Sequence, residues 1–130
     1  MIWRLIEQQT YNAAMNMAID EAICESVASK GQLPTIRFYK WKNNSVSIGS
    51  NQNQNEINLS LCKKNQIDVV RRITGGRAVF HDKMDFTYSV IAPISVFGNI
   101  KNAYSEICSW IINALEDLSI KSKLKNKNDI

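Results

Sequence analysis

The sequence predicts an α+β fold, a mixed or antiparallel sheet with helices packed on it, and three observations carry that prediction. Two long segments, from Asn12 to about Lys30 and from about Ile100 to Leu118, repeat apolar residues at helical spacing. Short apolar runs punctuated by Gly, Pro and Asn read as roughly six or seven strands. Near the middle, Val69–Asp82 (VVRRITGGRAVFHD) reads as strand, glycine turn, strand. Most strands adjoin turns, so strict strand–helix–strand alternation fits poorly.

In chain order, Trp3–Ile6 opens as a short strand. Asn12 caps a helix whose apolar face is Met15, Ile19, Ile23 and Val27, and Gly31 ends it. On that helix Asn16 and Asp20 lie one turn apart beside Glu21, as a solvated polar face or as support for neighbouring loops. Pro34 introduces a strand at Thr35–Trp41, with Asn43-Asn44 as a hairpin turn to a partner at Ser45–Ile48. The polar run SNQNQNE follows Gly49, either a disordered loop or a mobile wall of a pocket. A short helix over Glu56–Asn65 leads to the strand Ile67–Ile73. Phe86–Ala92 is a further strand that Pro93 breaks, and the second long helix carries an apolar stripe of Tyr104, Ile107, Cys108, Ile111, Leu115 and Leu118. A charged, alternating edge strand at about Lys121–Lys125 closes the chain.

Composition narrows the function classes. A chain of 130 residues, 45% hydrophobic and 22% charged, suits one soluble globular domain. No apolar run approaches the roughly 18 residues of a membrane span, and the N-terminus lacks a secretory layout, so a cytoplasmic protein is expected. Of the net charge of +4, Lys121, Lys123, Lys125 and Lys127 against Asp129 supply +3, leaving +1 elsewhere. That is not the spread basic face of a nucleic-acid binder; it reads as a solvated strand or a dock for an acidic partner. Cys24, Cys62 and Cys108 are odd in number and widely spaced, which argues against a disulfide framework or a zinc site. Asp82 and Asp85, without further ligands, are a weak metal signal.

The central stretch concentrates chemistry. It holds three of the five arginines (Arg71, Arg72, Arg77), the only histidine (His81) and the only adjacent glycine pair, Gly75-Gly76. Glycines allow close backbone approach, and arginine forks suit phosphate or carboxylate, so the stretch reads as an anion-gripping corner or a plain turn with solvated arginines. Adjacent strand residues face opposite ways, so of Arg71 and Arg72 one reaches the ligand and the other pairs elsewhere.

The pattern RR-x-T-G-G-x-A-V-F-H-D resembles the signature of the lipoate–protein ligase and octanoyltransferase family, which shares a catalytic fold with biotin protein ligases. Further resemblances come in order: NMAIDE at Asn16–Glu21, RFY from Arg37, VSIG at Val46–Gly49, the Asn51–Asn58 loop, TYSV at Thr87–Val90 and the closing Asn128-Asp129-Ile130. The resemblance implies a class II synthetase-like fold, here the N-terminal part of one catalytic domain. It implies an ATP-dependent ligase that joins lipoate or octanoate to AMP with Mg²⁺, then passes the acyl group to a lysine of a lipoyl carrier domain, of a 2-oxoacid dehydrogenase or the glycine cleavage H protein. By that resemblance Arg72, Gly75, Gly76, Arg77, Ala78, Val79 and Phe80 bind the nucleotide or acyl-adenylate, and Gly49, Gln52 and His81 belong to the acyl pocket. The family's catalytic lysine is expected beyond Ile130, in a continuation or a C-terminal partner chain. Two readings stay open beside the ligase: an octanoyl or lipoyl transferase, and a binding remnant or one chain of a split ligase. Arg77, where ligases commonly have a third glycine, resembles the transferase branch; Asn128-Asp129-Ile130 resembles the ligases. No cysteine occurs in Ile120–Asn128, which departs from transferases with a cysteine nucleophile there.

Overall fold

A computed structural model describes residues 1–126 and 129–130. The chain divides into two compact units, Met1–Ala92 and Pro93–Ile130.

The first unit holds two three-stranded sheets and two helices. β1 (Arg4–Tyr11) leads through α1 (Ala13–Lys30) to β2 (Thr35–Trp41), and β3 (Ser45–Ile48) leads through α2 (Leu59–Lys64) to β4 (Asp68–Arg71). β5 (Val79–His81) and β6 (Thr87–Ile91) follow. The first sheet has the order β1-β2-β6, with β1 parallel and β6 antiparallel to β2. The second has the order β4-β3-β5, again one parallel and one antiparallel neighbour about the central strand. Each parallel pair is closed by a helical crossover, because parallel strands cannot be joined by a tight turn.

The α+β class and the mixed pairing agree with the sequence; several details are corrected. The opening strand is longer than Trp3–Ile6 and bulges between Ile6 and Gln9. Asn43-Asn44 is not a hairpin turn, since β2 and β3 belong to different sheets; Asn43 instead donates from its amide to Asp68 at 3.2 Å as the chain changes sheet. Both crossover helices lie where helices were expected, but they join parallel strands. The helix expected over Glu56–Asn65 begins only at Leu59, capped by the Asn58 side chain, with a separate 3₁₀ turn at Gln54–Glu56. No strand forms at Lys121–Lys125; Lys125 makes an isolated bridge to Asp129. Lys127 and Asn128, the latter part of the closing motif, lie outside the described residues.

α1 fits its caps but not its expected face. Asn12 accepts from Met15 N–H at 2.8 Å, and Gly31 takes the left-handed conformation at φ 59°. Met15, placed in the apolar stripe, is exposed, and the buried positions are Ala13, Asn16, Met17, Asp20, Ile23 and Val27. Two polar residues therefore lie in the middle of the buried face. Beside them Ala13, Met17, Tyr39 and Trp41 form a core cluster, against which Val70 of β4 packs.

The polar residues are inward because they meet Arg37, also fully buried. Its Nη1 donates to Asp20 Oδ1 at 2.8 Å and to Asn16 O at 3.0 Å, and its Nη2 donates to Asn16 Oδ1 at 2.7 Å. Ser89 of β6 and Tyr39 of β2 donate to the two Asp20 oxygens. Asn16 in turn donates to the carbonyls of Tyr11 and Lys40. Burial, then the Asp20 charge, pushes the Tyr39 hydroxyl well above its ordinary range. A buried charge is tolerated only when paired and hydrogen-bonded, and here helix and sheet supply the partners jointly. Glu21, the other candidate for support of the neighbouring loops, is exposed.

In the second unit, α3 (Ile100–Asp117) starts at Asn99, whose side chain accepts from Asn102 N–H at 2.8 Å. Of its expected stripe, Cys108 is buried, Ile107, Ile111 and Leu115 are half-buried, and Tyr104 and Leu118 are exposed. Phe97 packs on Trp110 at a ring separation of 6.0 Å.

Candidate functional site

β3 is the spine of the site. It lies between β4 and β5, so the segment from Arg72 to Ala78 passes over its C-terminal end to join the two outer strands. The strand, glycine turn and strand are therefore present, but the two strands flank β3 instead of pairing with each other, and the turn is a strap across its end. Beneath it the chain leaves β3 at Gly49.

Contact between the two segments explains the glycines. A Cβ on Gly49 would sit 2.0 Å from the Gly76 carbonyl oxygen, so only glycine permits this approach. Gly76 has φ +95°, a conformation side chains disfavour. Gly75 meets nothing within 4 Å and is not demanded by sterics. Ser50 N–H donates to Thr74 O at 2.9 Å and completes the contact. Gly49, expected in an acyl pocket, thus serves here as the seat of the strap.

The two central arginines are both occupied by backbone. Arg71 Nη1 donates to the carbonyls of Gly49 (2.7 Å), Ser50 (3.1 Å) and Gln52 (2.8 Å), which pins the first turn of the amide-rich loop. Arg72 faces the other way. Its Nη1 donates to Ser47 O (2.9 Å) and Ser47 Oγ (3.1 Å), and its Nη2 to Gly75 O (2.7 Å) and Arg77 O (2.8 Å). The expectation that opposite faces separate the pair holds, and each fork grips its own loop. Guanidinium groups do this well because five donors are fixed in one plane.

The remaining predicted residues spread outward. Arg77 pairs with Glu56 at 2.9 Å, with its own side chain 83% exposed. Gln52 folds back, its Oε1 accepting from Gly49 N–H (3.3 Å) and its Nε2 donating to Glu56 (3.1 Å). Val79 and Phe80 are exposed and Ala78 is half-buried, so the segment read as nucleotide lining forms open surface beside the strap. The loop expected to be mobile or disordered is held at both ends.

His81 lies under this arrangement, not on its rim. Its ring stacks on Trp41 at 4.0 Å and 15°, and its Nε2 is 2.7 Å from Ser47 Oγ. Burial lowers its pKa below the ordinary imidazole value; Asp85 opposes this and the Arg72 charge adds to it. Ser47 and Trp41 were not singled out from the sequence. The alternation of Ser45-Val46-Ser47 would turn Val46 inward and the serines outward; the structure does the reverse, because the Ser47 hydroxyl is met by Arg72 and His81.

Asp82 and Asp85 are used locally: Asp82 Oδ1 accepts from Met84 N–H, and Asp85 Oδ2 from Asp82 N–H. Among the described residues no group of three His, Cys, Asp or Glu could hold a metal ion. A cavity of about 590 Å³, lined by Asn44, Cys62, Lys63, Gln66, Asp68 and Lys83 among others, opens by the start of β4, the opposite end of the second sheet from the strap.

Residues 12–130 match the family model of the lipoyl protein ligase A/B catalytic domain. The chain is 50% identical over 132 residues to an octanoyltransferase LipM of Clostridioides difficile, covering 98% of this chain and 48% of that protein. It is 36% identical to an octanoyltransferase LipM of Carboxydothermus hydrogenoformans, covering 94% and 46%. The chain thus spans about half the length of the curated relatives it matches. Among solved structures it resembles a lipoate-protein ligase A bound with ATP, at TM-score 0.82 and 32% identity, over 100% of this chain and 53% of that one. It also resembles a chain from the archaeal lipoylation system of Thermoplasma acidophilum, a bi-partite lipoate protein ligase and its E2 lipoyl domain, at TM-score 0.81 and 31% identity, over 99% and 50%.

Proposed function

Since the chain belongs to the lipoyl protein ligase A/B catalytic domain family, we propose that it forms the acyl-binding half of an octanoyltransferase. The activity would move an octanoyl group, already activated on a carrier, to a lysine of a lipoyl domain. The observation that carries this reading is the commitment of Arg72 and Arg77. An adenylate-forming site must bring a carboxylate and a phosphate together, which calls for cationic forks free to meet both. Here Arg72 spends its donors on Ser47, Gly75 and Arg77, and Arg77 is neutralised by Glu56. Transfer of a preactivated acyl group demands no such pairing of anions. The relatives named octanoyltransferase support the same direction.

In this reading the strap and the loop beneath it wall the acyl chain, with Gly49, Gly76 and the exposed Phe80 at the edge. The second reading, ATP-dependent lipoate ligation with Mg²⁺, draws support from the similarity to an ATP-bound ligase. Under it Arg72 would have to release at least one carbonyl to reach a phosphate.

A two-arm assay separates the readings. The protein, alone and together with the C-terminal half of an octanoyltransferase relative, is incubated with a lipoyl domain and either an octanoyl thioester of an acyl carrier or octanoate with ATP and Mg²⁺, and lysine acylation is followed by mass spectrometry. Product from the thioester arm is expected. Product only from the ATP arm would replace the transferase by a ligase.

A further inference from the structure

We infer that Ser47 is a positioning residue through which the protonation of His81 sets the hold of Arg72 on the glycine strap. The inference stands on the geometry and does not depend on which acyl reaction the site serves.

Ser47 is 2% exposed and its hydroxyl has two polar neighbours, Arg72 Nη1 at 3.1 Å and His81 Nε2 at 2.7 Å. Guanidinium has no acceptor, so the hydroxyl accepts from Arg72. Its own proton then has one partner, His81 Nε2, and the arrangement that leaves no buried proton unpaired has Ser47 donating to a neutral ring whose proton is on Nδ1. Stacking on Trp41 fixes the ring plane, so Nε2 is held towards Ser47. On its other face the relay ends at Gly75 O and Arg77 O, gripped by the second nitrogen of the same guanidinium.

Protonation reverses the bond. Nε2 becomes a donor, the Ser47 hydroxyl must accept from two cations at once, and its own proton loses its acceptor. The charged and titratable groups facing His81 are Arg72, from the segment after β4, and Asp85, from the turn after β5; β2 presents Trp41 and β3 presents Ser47. Asp85 is the counterweight that favours the imidazolium, while burial and Arg72 oppose it. Neutral His81 thus goes with a tight strap, and acidification loosens it.

His81 is the only histidine in the chain, so its ring nitrogens are unambiguous in NMR spectra. In the wild-type protein the neutral ring is expected as the Nδ1–H tautomer, titrating below the ordinary value of about 6.5. The Arg72 guanidinium resonances should move with the same midpoint. Ser47→Ala should raise that midpoint by about half to one unit, the worth of one hydrogen bond to the neutral ring, and should uncouple the Arg72 signal. Ser47→Thr, which keeps the hydroxyl, should restore both. A neutral Nε2–H tautomer in the wild type overturns the inference. So does an Arg72 signal that ignores His81 titration, or one that follows it equally in Ser47→Ala, which would leave only the field through space. If the alanine variant does not fold, the wild-type tautomer and the Arg72 response still decide.

Discussion

Two arginine networks, one on each sheet and opposite in setting, divide the labour in the first unit. Around Arg37 the partners are a carboxylate, an amide and a helix carbonyl, all buried. Around Arg71 and Arg72 the partners are almost wholly backbone carbonyls, and Arg71 is exposed. The difference lies in what happens to the charge. Asp20 cancels Arg37, so that network is a neutral fastener between α1 and the first sheet. Carbonyl dipoles hold Arg71 and Arg72 without cancelling them, so the loops at the end of the second sheet are fixed while positive charge stays at the site. A fastener and a charged scaffold should respond differently to substitution.

The sharpest break is expected at Asp20. Asp20→Ala leaves the Arg37 guanidinium buried and uncompensated, which should cost about 3–5 kcal/mol in urea denaturation. A loss below about 1 kcal/mol would mean that the network is no fastener. Removing both charges together, in Asp20→Leu with Arg37→Met, should recover much of the loss, because the pair itself contributes little net stability.

Next comes Gly49→Ala. The new methyl meets backbone, the Gly76 carbonyl at 2.0 Å, and backbone cannot step aside as a flexible side chain does. A penalty of about 1–3 kcal/mol is expected from overpacking. The Ser50 amide, bonded to Thr74 O, should lose protection from hydrogen exchange in step. Normal protection in a folded variant would show that the strap does not depend on this contact.

Arg72→Ala should separate scaffold from fastener most clearly. The freed carbonyls of Gly75 and Arg77 lie at an exposed strap and can meet water, while buried Ser47 loses a donor, so global stability should fall by about 1–3 kcal/mol, less than at Asp20. Amide exchange at residues 75–78 should nonetheless quicken strongly. Arg72→Lys should not restore it, since one ammonium cannot span the two sides of the fork. Rescue by lysine would assign Arg72 the role of a point charge.

The contrast also accounts for what was legible in the sequence. Caps and terminators act locally, so Asn12, Gly31 and the strand at Thr35–Trp41 could be read directly. The corner's residues were identifiable because glycine and arginine are informative types. What β4 and β5 pair with was not, since sheet order is set by long-range packing and the same residues would serve a hairpin. Asn16 and Asp20 were read as a face that either met water or supported neighbouring loops for a related reason: their burial depends on Arg37, 17 residues beyond Asp20. Polar type alone cannot reveal a partner supplied by another element. For the corner, sequence sent one of Arg71 and Arg72 to a ligand and the other elsewhere, and in the structure both donate to backbone carbonyls. Nothing in the motif distinguishes a phosphate oxygen from a carbonyl oxygen.

The smallest expected effect, at the Arg77–Glu56 pair, tests whether the charged scaffold has a functional remainder. The pair is exposed, so its contribution to stability should be about 0.2–1 kcal/mol and should fade with added salt. Glu56→Gln keeps the shape of the side chain and its hydrogen bond to Gln52 while removing the charge that neutralises Arg77. If the strap's positive charge matters only to folding, this variant should lose that small stability and bind as wild type does. If it serves an anionic substrate or an acidic carrier, uncovering Arg77 should tighten binding, several-fold at low ionic strength and less at high, for the same small loss in denaturation. Titration of an acyl carrier against both proteins at two salt concentrations distinguishes these outcomes, and equal affinities at low salt would confine Arg77 to the surface role that its exposure alone suggests.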